Sequence, residues 1–582
     1  MKLLIVESPA KAKKIAGFLD DSWTVEACRG HVRDLPVYDL GVNVDAGFQP
    51  QYEILVGKTN LVKRLLKAIR QADAVYLATD PDREGEAIAW HLLQLAGNLK
   101  DKPVYRAVFN AITANAVKQA LEEPRELDQA LVDAQNARRI IDRLVGYLVS
   151  PVAVKALDKK TLSAGRVQSV ALRLVVDRER EIDAFEPETY WTIRALVDAD
   201  GTQFEAKLHR LKGADARFST RQHAASIVKR LQDAQLWVSK VGQTHKHRQP
   251  LPPFTTSSLQ QAAAKGLGLS PDRVMGLAQT LYESGLITYH RTDGVAVAPE
   301  AQTVARDVIG REYGQDYLPA TPPTYTAKTD HAQEAHEAIR PTDINHLPDE
   351  TATGDGAKLY ALIWRRFIAS QMNPALYTLT GILIHAGQTT DKPFPLAFQA
   401  LGRTLIFDGF LRVYEEPSDD ESTTATETTL PLLKEGQPLG QANLTIDEGQ
   451  TRPPSRFSEA GLIGALERYG VGRPSTYASM VSLIKDKGYV TLTKRQLIPT
   501  ETGTTLGTFL TERFPQVFDV GYTARLEKAL DRVATGDMQG QTVLSTFWRG
   551  FQPQLKTATE HALAQVKARH TPKPLVLYPT ED

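Results

Sequence analysis

The stretch Tyr76-Leu77-Ala78-Thr79-Asp80-Pro81-Asp82-Arg83-Glu84-Gly85-Glu86 constrains this chain more than any other. An apolar run, Ala74 to Ala78, ends in three acids at alternate positions, Asp80, Asp82 and Glu84. Such a run predicts a core strand of an α/β sheet, and ligand sites in such sheets lie beyond the C-terminal strand ends. Three carboxylates crowded there repel one another unless a hard divalent cation neutralises them. Mg²⁺ suits the position, since it is held by a few carboxylates plus water and substrate phosphates. A solvated acidic loop is the plainer alternative. A second strand end weighs against it. Lys2-Leu3-Leu4-Ile5-Val6 delivers Glu7 at its C-terminal end, and Ser8-Pro9 reads as an N-cap and first helical position. The helix that follows carries Lys11, Lys13 and Lys14. Carboxylates that hold metal, beside donors that hold phosphate, point to phosphoryl-transfer chemistry.

The 582 residues allow about four domains. With 42% apolar and 24% charged residues the composition is that of a globular protein. No run of 18 apolar residues predicts a membrane span, and Met1-Lys2-Leu3 passes straight into a strand without the apolar region of a signal peptide. A cytoplasmic location is the expectation. The single Cys28 excludes internal disulfides and cysteine-rich zinc modules. The 69 basic and 69 acidic residues balance, which argues against a simple basic coat for nucleic acid but leaves room for a local positive groove.

Residues 1–130 alternate strands and helices, residues 131–183 are helical and Arg-rich, and period-two segments begin at Tyr190. Strand-like segments recur at 203–210, 236–242 and 376–413, around a mostly helical block at 251–372. The acidic, Ser/Thr-rich residues 415–429 read as a mobile surface loop, and the rest is helical. Two helical blocks resemble one another. Each runs helix, turn, Pro-initiated helix, then a Gly-led strand, with Pro271 and Pro474 each 14 residues before Gly285 and Gly488. That is a winged-helix-like plan. Two other signals fail on context. Gly57-Lys58-Thr59 lacks the first glycine of a phosphate loop, since Tyr52 stands there. Gly470-Val471-Gly472 follows a helix, whereas a dinucleotide fingerprint follows a strand. Nothing predicts use of ATP or NAD.

Several motifs occur in order: Val6-Glu7-Ser8-Pro9-Ala10-Lys11-Ala12, Gly30-His31-Val32-Arg33-Asp34-Leu35-Pro36, Thr79 to Ala87, and Leu162-Ser163-Ala164-Gly165-Arg166-Val167-Gln168-Ser169. Gly285-Leu286-Ile287-Thr288-Tyr289-His290-Arg291-Thr292-Asp293, Ala335-His336-Glu337-Ala338-Ile339-Arg340-Pro341, Gly472 to Ala478 and Gly521 to Arg525 follow. In this order and spacing the chain resembles the type IA DNA topoisomerases, in their bacterial form, from Met1 to about residue 545. The resemblance implies a multidomain α/β plus α+β fold. A Toprim metal-binding domain would span 1–130, and a helical single-strand-binding domain 131–185 with 448–582. A β arch would take 186–250 with 373–447, and a helical domain with the catalytic tyrosine 251–372, closing a toroidal ring.

It further implies relaxation of negatively supercoiled DNA by a monomer, without ATP, through a 5′-phosphotyrosyl bond. Tyr289 is the implied nucleophile among 19 tyrosines. A phenol, with its ordinary pKa near 10, needs a nearby cation or base. Arg291, two residues on, would share its strand face and stabilise the developing charge. Glu7 would move a proton at the leaving 3′ oxygen, Lys11 would hold the scissile phosphate, and Asp80, Asp82 and Glu84, with Glu7, would hold Mg²⁺ for resealing. Arg106 matches a phosphate-contacting arginine and His336 a histidine near the cut. Arg139 and Arg143 share one helix face, four residues apart, and could bridge successive phosphates. Tyr147 could stack on a base. Without the resemblance, an exposed, salt-bridged helix face is the simpler reading. With it, Arg138, Arg139, Asp142, Arg143, Arg166 and Gln168 become groove residues, in a region that prefers a cytosine upstream of the cut.

The chain departs from the family at Ala111, where a Glu is usual, and at Gly294, where a Ser is frequent. It ends at Asp582 without cysteine modules, as an excised core or a protein lacking them, which puts processive relaxation in doubt. The competing readings are a topoisomerase III-like decatenase, a non-catalytic single-strand-binding scaffold, and a Toprim primase or nuclease.

Overall fold

The computed structural model describes residues 1–99, 102–210, 216–326, 337–349, 351, 353–416 and 429–570. Most of the acidic loop read at 415–429 therefore lies outside the described residues, as does His336.

The N-terminal sheet is parallel, in the order Trp23–Ala27, Lys2–Val6, Ala74–Leu77, Val104–Arg106. Leu3 to Val6 are fully buried, as expected of a strand covered on both faces. From the central strand Lys2–Val6 the chain first goes to one side, then returns through Ala74–Leu77 on the other. The crevice between two such divergent strands is where open α/β sheets bind ligands. Each strand end then starts a helix with its own cap. Ser8 accepts from the Lys11 N–H ahead of Pro9–Ala16, and Asp82 accepts from the Gly85 N–H ahead of Arg83–Ala96. A Cβ on Gly85 would lie 2.2 Å from the Asp80 carbonyl, so glycine alone lets the acid-bearing loop fold onto the helix start.

A large core joins helices Gln129–Leu157 and Arg166–Asp183 to the C-terminal helices Glu501–Arg513, Val520–Ala534 and Gly540–His570. Six strands, Thr189–Ala199, Thr202–Arg210, Gln235–Arg248, Ala375–Gly387, Pro393–Phe407 and Pro438–Gln450, close into a barrel. Its interior is filled by Ile193, Val197, Phe204, Leu208, Val238, Ile384 and Phe398. Between strands Gln235–Arg248 and Ala375–Gly387 the chain leaves to build four helices, Thr256–Gly266, Pro271–Glu283, Pro299–Glu312 and Asp355–Ser370. These dock back on the N-terminal sheet, in one apolar core that contains Val6, Ile15 and Ile112 together with Val274, Tyr282 and Phe367. The path from base to barrel to helical unit, and back to base by contact, is a ring. Among the described residues, no helix is long and apolar enough to cross a membrane.

The two similar helical blocks pack like against like. Glu459–Tyr469 lies on Thr256–Gly266, and Tyr477–Asp486 on Pro271–Glu283. The second block ends in the expected wing, a hairpin of Val490–Thr493 with Gln496–Pro499. The first does not. The strand expected at 285–289 is only an isolated bridge of Ile287 with Pro341. Pro341 has no N–H to extend a ladder, and the Tyr289 N–H is drawn away to the Asn110 carbonyl of the N-terminal domain, at 2.7 Å.

Candidate active site

That diverted backbone sets Tyr289 against the acid loop. Its side chain is buried, with the hydroxyl donating to Asp82 Oδ2 at 2.8 Å and the ring edge-on to Tyr282. Arg291 Nη1 reaches Glu84 Oε2 at 3.3 Å. On the other side, Lys11 Nζ donates to Asp80 and lies 5.0 Å from the Tyr282 ring centre. The Glu7 carboxylate accepts from the Asp80 N–H at 3.0 Å. Glu7, Lys11, Asp80, Asp82, Glu84, Tyr289 and Arg291 thus meet in one crevice, drawn from the two strand ends and the helical unit.

The charges in this crevice are unbalanced. Burial, then the neighbouring Asp80, pushes the Glu7 carboxyl up to about 8, although Lys11 opposes the shift. Burial, then Asp82, holds the Tyr289 phenol well above its ordinary value, with Arg291 opposing. Burial alone would lower the Lys11 ammonium, but Asp80 and Glu7 outweigh it and the net shift is upward. A surplus of carboxylate suits a hard divalent ion. No three His, Cys, Asp or Glu side chains converge as metal ligands among the described residues. The geometry gives the reason: Lys11 engages Asp80, Tyr289 and the helix cap engage Asp82, and Arg291 engages Glu84. A site of this kind fits an ion held by one or two carboxylates, with water and phosphate completing its shell.

Arg106 stands below this layer. It is 1% exposed, pairs with buried Glu86 at 2.9 Å, and donates to the carbonyls of Leu77, Asp80 and Ala107. The structure therefore places it as a brace under the acid loop. Of the other sequence-derived residues, Arg138, Arg139, Asp142, Arg166 and Gln168 line a cleft of about 410 Å³ whose wall also includes Glu84. Arg166 bonds Asp142 at 2.8 Å and Glu527 at 2.7 Å. Arg138 lies 3.8 Å from each of the same two acids. Arg139 forms a two-pronged pair with Asp34. Arg143 and Tyr147 continue along the same helix and bond backbone carbonyls of residues 35–39.

Sequence reasoning passed over Arg83, Arg473, Glu527 and Asp531. Arg473 and Arg83 both pair with Asp531. Glu527 is fully buried, and burial opposes its ionisation. Arg138, Arg166, Arg473 and Arg83 nevertheless hold it well below the ordinary carboxylate range. Four guanidiniums face Asp142, Glu527 and Asp531, so the wall keeps one positive charge in surplus. One signal was available: on helix Val520–Ala534, Glu527 shares the buried stripe of Thr523, Leu526 and Leu530, where an acid requires partners.

The family model described as DNA topoisomerase matches residues 126–545, and that for the Toprim domain residues 2–112. The chain belongs to the type IA DNA topoisomerases. Within that family it is similar to DNA topoisomerase 1 of Zymomonas mobilis, with 42% identity over 98% of this chain and 47% of that protein. It is likewise 42% identical to DNA topoisomerase 1 of Rickettsia bellii, over 97% of this chain and 72% of that one. The chain thus spans about half the length of the first relative and most of the second. The solved structure of topoisomerase I from Thermotoga maritima superposes with a TM-score of 0.82 at 36% identity, covering 95% of this chain and 90% of that one. A Toprim domain is a metal-binding domain, and in this topoisomerase Glu7, Asp80, Asp82 and Glu84 lie within the Toprim match.

Proposed function

We propose that this topoisomerase relaxes negatively supercoiled DNA by cutting one strand through Tyr289, passing a second strand, and resealing, in the cytoplasm, as a monomer and without ATP. The placement of the Tyr289 hydroxyl on Asp82, in one crevice with Arg291 on Glu84, Lys11 on Asp80 and Glu7 on the Asp80 N–H, carries this reading. The phenol oxygen attacks the phosphorus and its proton passes to Asp82, the group it already touches. The bond from phosphorus to the 3′ oxygen breaks, and Glu7, protonated up to about pH 8, supplies the proton to that oxygen. Arg291 and Lys11 lie beside the nucleophile and the leaving side to offset the charge that develops on phosphorus. One or two of the carboxylates of Asp80, Asp82, Glu84 and Glu7 would hold Mg²⁺, which when bound supplies positive charge and orients the 3′ hydroxyl for resealing. The phosphodiester energy is kept in the phosphotyrosine bond, so no nucleotide is needed. The cleft beside Glu84 would hold the strand to be cut, with phosphates on its surplus guanidinium charge.

Single-stranded DNA labelled at either end tests the polarity. The protein should become attached to the 3′-side fragment through its 5′ phosphate. Attachment through a 3′ phosphate, or none at all, refutes the reading and moves the single-strand-binding scaffold to first place. Negatively supercoiled plasmid beside a catenane substrate separates relaxation from topoisomerase III-like unlinking.

Glu7 adds a pH dependence. A buried acid with its pKa raised to about 8 keeps its proton below that pH and loses it above. In metal-free buffer the cleavage rate should therefore fall as pH rises through about 8. Glu7→Gln, which cannot give a proton, should cut more slowly by about 10²–10⁴-fold and show no such limb. A descending limb that persists in the variant assigns the proton to another group.

A further inference from the structure

We infer that the loop 36–39 is a second nucleotide platform, with Tyr38 as its stacking ring, which extends the single-strand track past the cleft. This inference rests on the cleft being a DNA groove. The loop is fastened by three side chains from one face of helix Gln129–Leu157. Arg139 grips Asp34 at 2.8 and 2.6 Å. Arg143 donates to the carbonyls of Leu35 and Asp39 at 3.3 and 3.4 Å, and the Tyr147 hydroxyl donates to the Tyr38 carbonyl. Each step of four residues along that helix advances about 6 Å, so the row starts in the cleft at Arg139 and leaves it toward Tyr147. The far side of the loop is pinned by buried Leu35, and by Gly41 at φ +64, where a Cβ would meet Pro36 Cδ at 2.4 Å.

The backbone is held, but the side chains are not. Tyr38 is 88% exposed and Val37 63%, and the Tyr147 side chain that bonds the Tyr38 carbonyl is exposed as well. Arg143, unlike Arg138 and Arg139, has no carboxylate within salt-bridge distance among the described residues. Its charge is therefore available to a phosphate passing beside Tyr38. A preordered loop with an exposed ring and an adjacent guanidinium outside any salt bridge is the combination that binds single strands without base readout. An aromatic ring with two rotatable bonds also loses little freedom on stacking.

The test uses fluorescence anisotropy with two single-stranded oligomers, one short enough to fill only the cleft and one extended on both sides. The wild type should bind the longer one more tightly. Tyr38→Ala should shrink that advantage by roughly 5- to 100-fold, and Tyr38→Trp should restore it. If Tyr38→Ala leaves the advantage intact, the platform does not exist. Equal weakening of both oligomers, with no rescue by Trp, reduces Tyr38 to a fold-maintaining residue and equally overturns the inference. If the wild type forms no covalent adduct at all, the failure lies with the cleavage reading, since adduct formation on the short oligomer does not depend on Tyr38.

Discussion

Tyr289→Phe should yield no covalent adduct with single-stranded DNA and lower relaxation by at least about 10⁴-fold, the order seen when a nucleophile is removed from a working constellation. The variant deletes one oxygen. The main-chain bond to Asn110 and the ring contacts with Tyr282 and His290 do not involve it, so the loop keeps its place. What changes is that Asp82 loses the hydroxyl it accepts from. Melting behaviour and single-strand affinity should therefore stay near wild type while covalent attachment disappears. Denaturing gels of end-labelled DNA give the answer directly. An adduct that persists in the variant would mean that another tyrosine attacks, and the roles given to Arg291 and Asp82 would fall with that of Tyr289.

Glu527→Gln should be the most damaging single change outside the crevice. The carboxylate is fully buried and is the common counter-charge of Arg138, Arg166, Arg473 and Arg83. An amide can still accept one hydrogen bond from Arg166, but it leaves the guanidiniums facing each other in a dry wall. Breaking a buried pair in this way costs about 3–5 kcal/mol. The urea midpoint of the helical base should drop accordingly. Single-strand affinity should fall too, because Arg138 and Arg166 form part of the cleft. Adding Arg166→Gln should recover part of the loss, as expected of residues sharing one network. A midpoint within about 0.5 kcal/mol of wild type would place Glu527 among ordinary surface acids.

These two residues mark what could be read from the sequence. Glu7, Asp80, Asp82 and Glu84 were legible because strand patterning is local and an acid at a strand end has few structural uses. Tyr289 became legible only through its motif, since a single tyrosine after Gly285 carries no local signal of chemistry. The strand predicted around it failed for a non-local reason, the pull of Asn110 on its N–H. Arg106 looked like a phosphate ligand because its partner Glu86, 20 residues away, cannot be inferred from spacing. The Arg166–Glu527 pair spans 361 residues of sequence, and no periodicity reaches that far. The β region was visible by alternation, but its closure was not. Strand Pro438–Gln450, whose Gly440 and Gly449 blunt the pattern, is not visible by alternation, and only the resemblance, which takes the β arch to 447, includes most of it.

That closure has a mechanical side. The barrel order interleaves two separate passages of the chain, so each strand of one passage is clamped by strands of the other or by the ring itself. The closure is weakest between Gln235–Arg248 and Pro438–Gln450, which pair only at Leu236 with Leu439 and Trp237 with Pro438, while the other five seams carry longer ladders that resist a load applied through the helical unit. Compliance must then lie in the connectors. These are Phe185-Glu186-Pro187, Gln249-Pro250-Leu251-Pro252-Pro253, Gln371-Met372-Asn373-Pro374 and Thr451-Arg452-Pro453-Pro454, all outside regular structure and all proline-bearing. Segments of this composition are stiff along their length and turn chiefly at their ends. The arch is built like a rigid bow on short struts, so that any movement of Tyr289 away from Asp82 would be a swing about a few residues, with the barrel carried along undeformed.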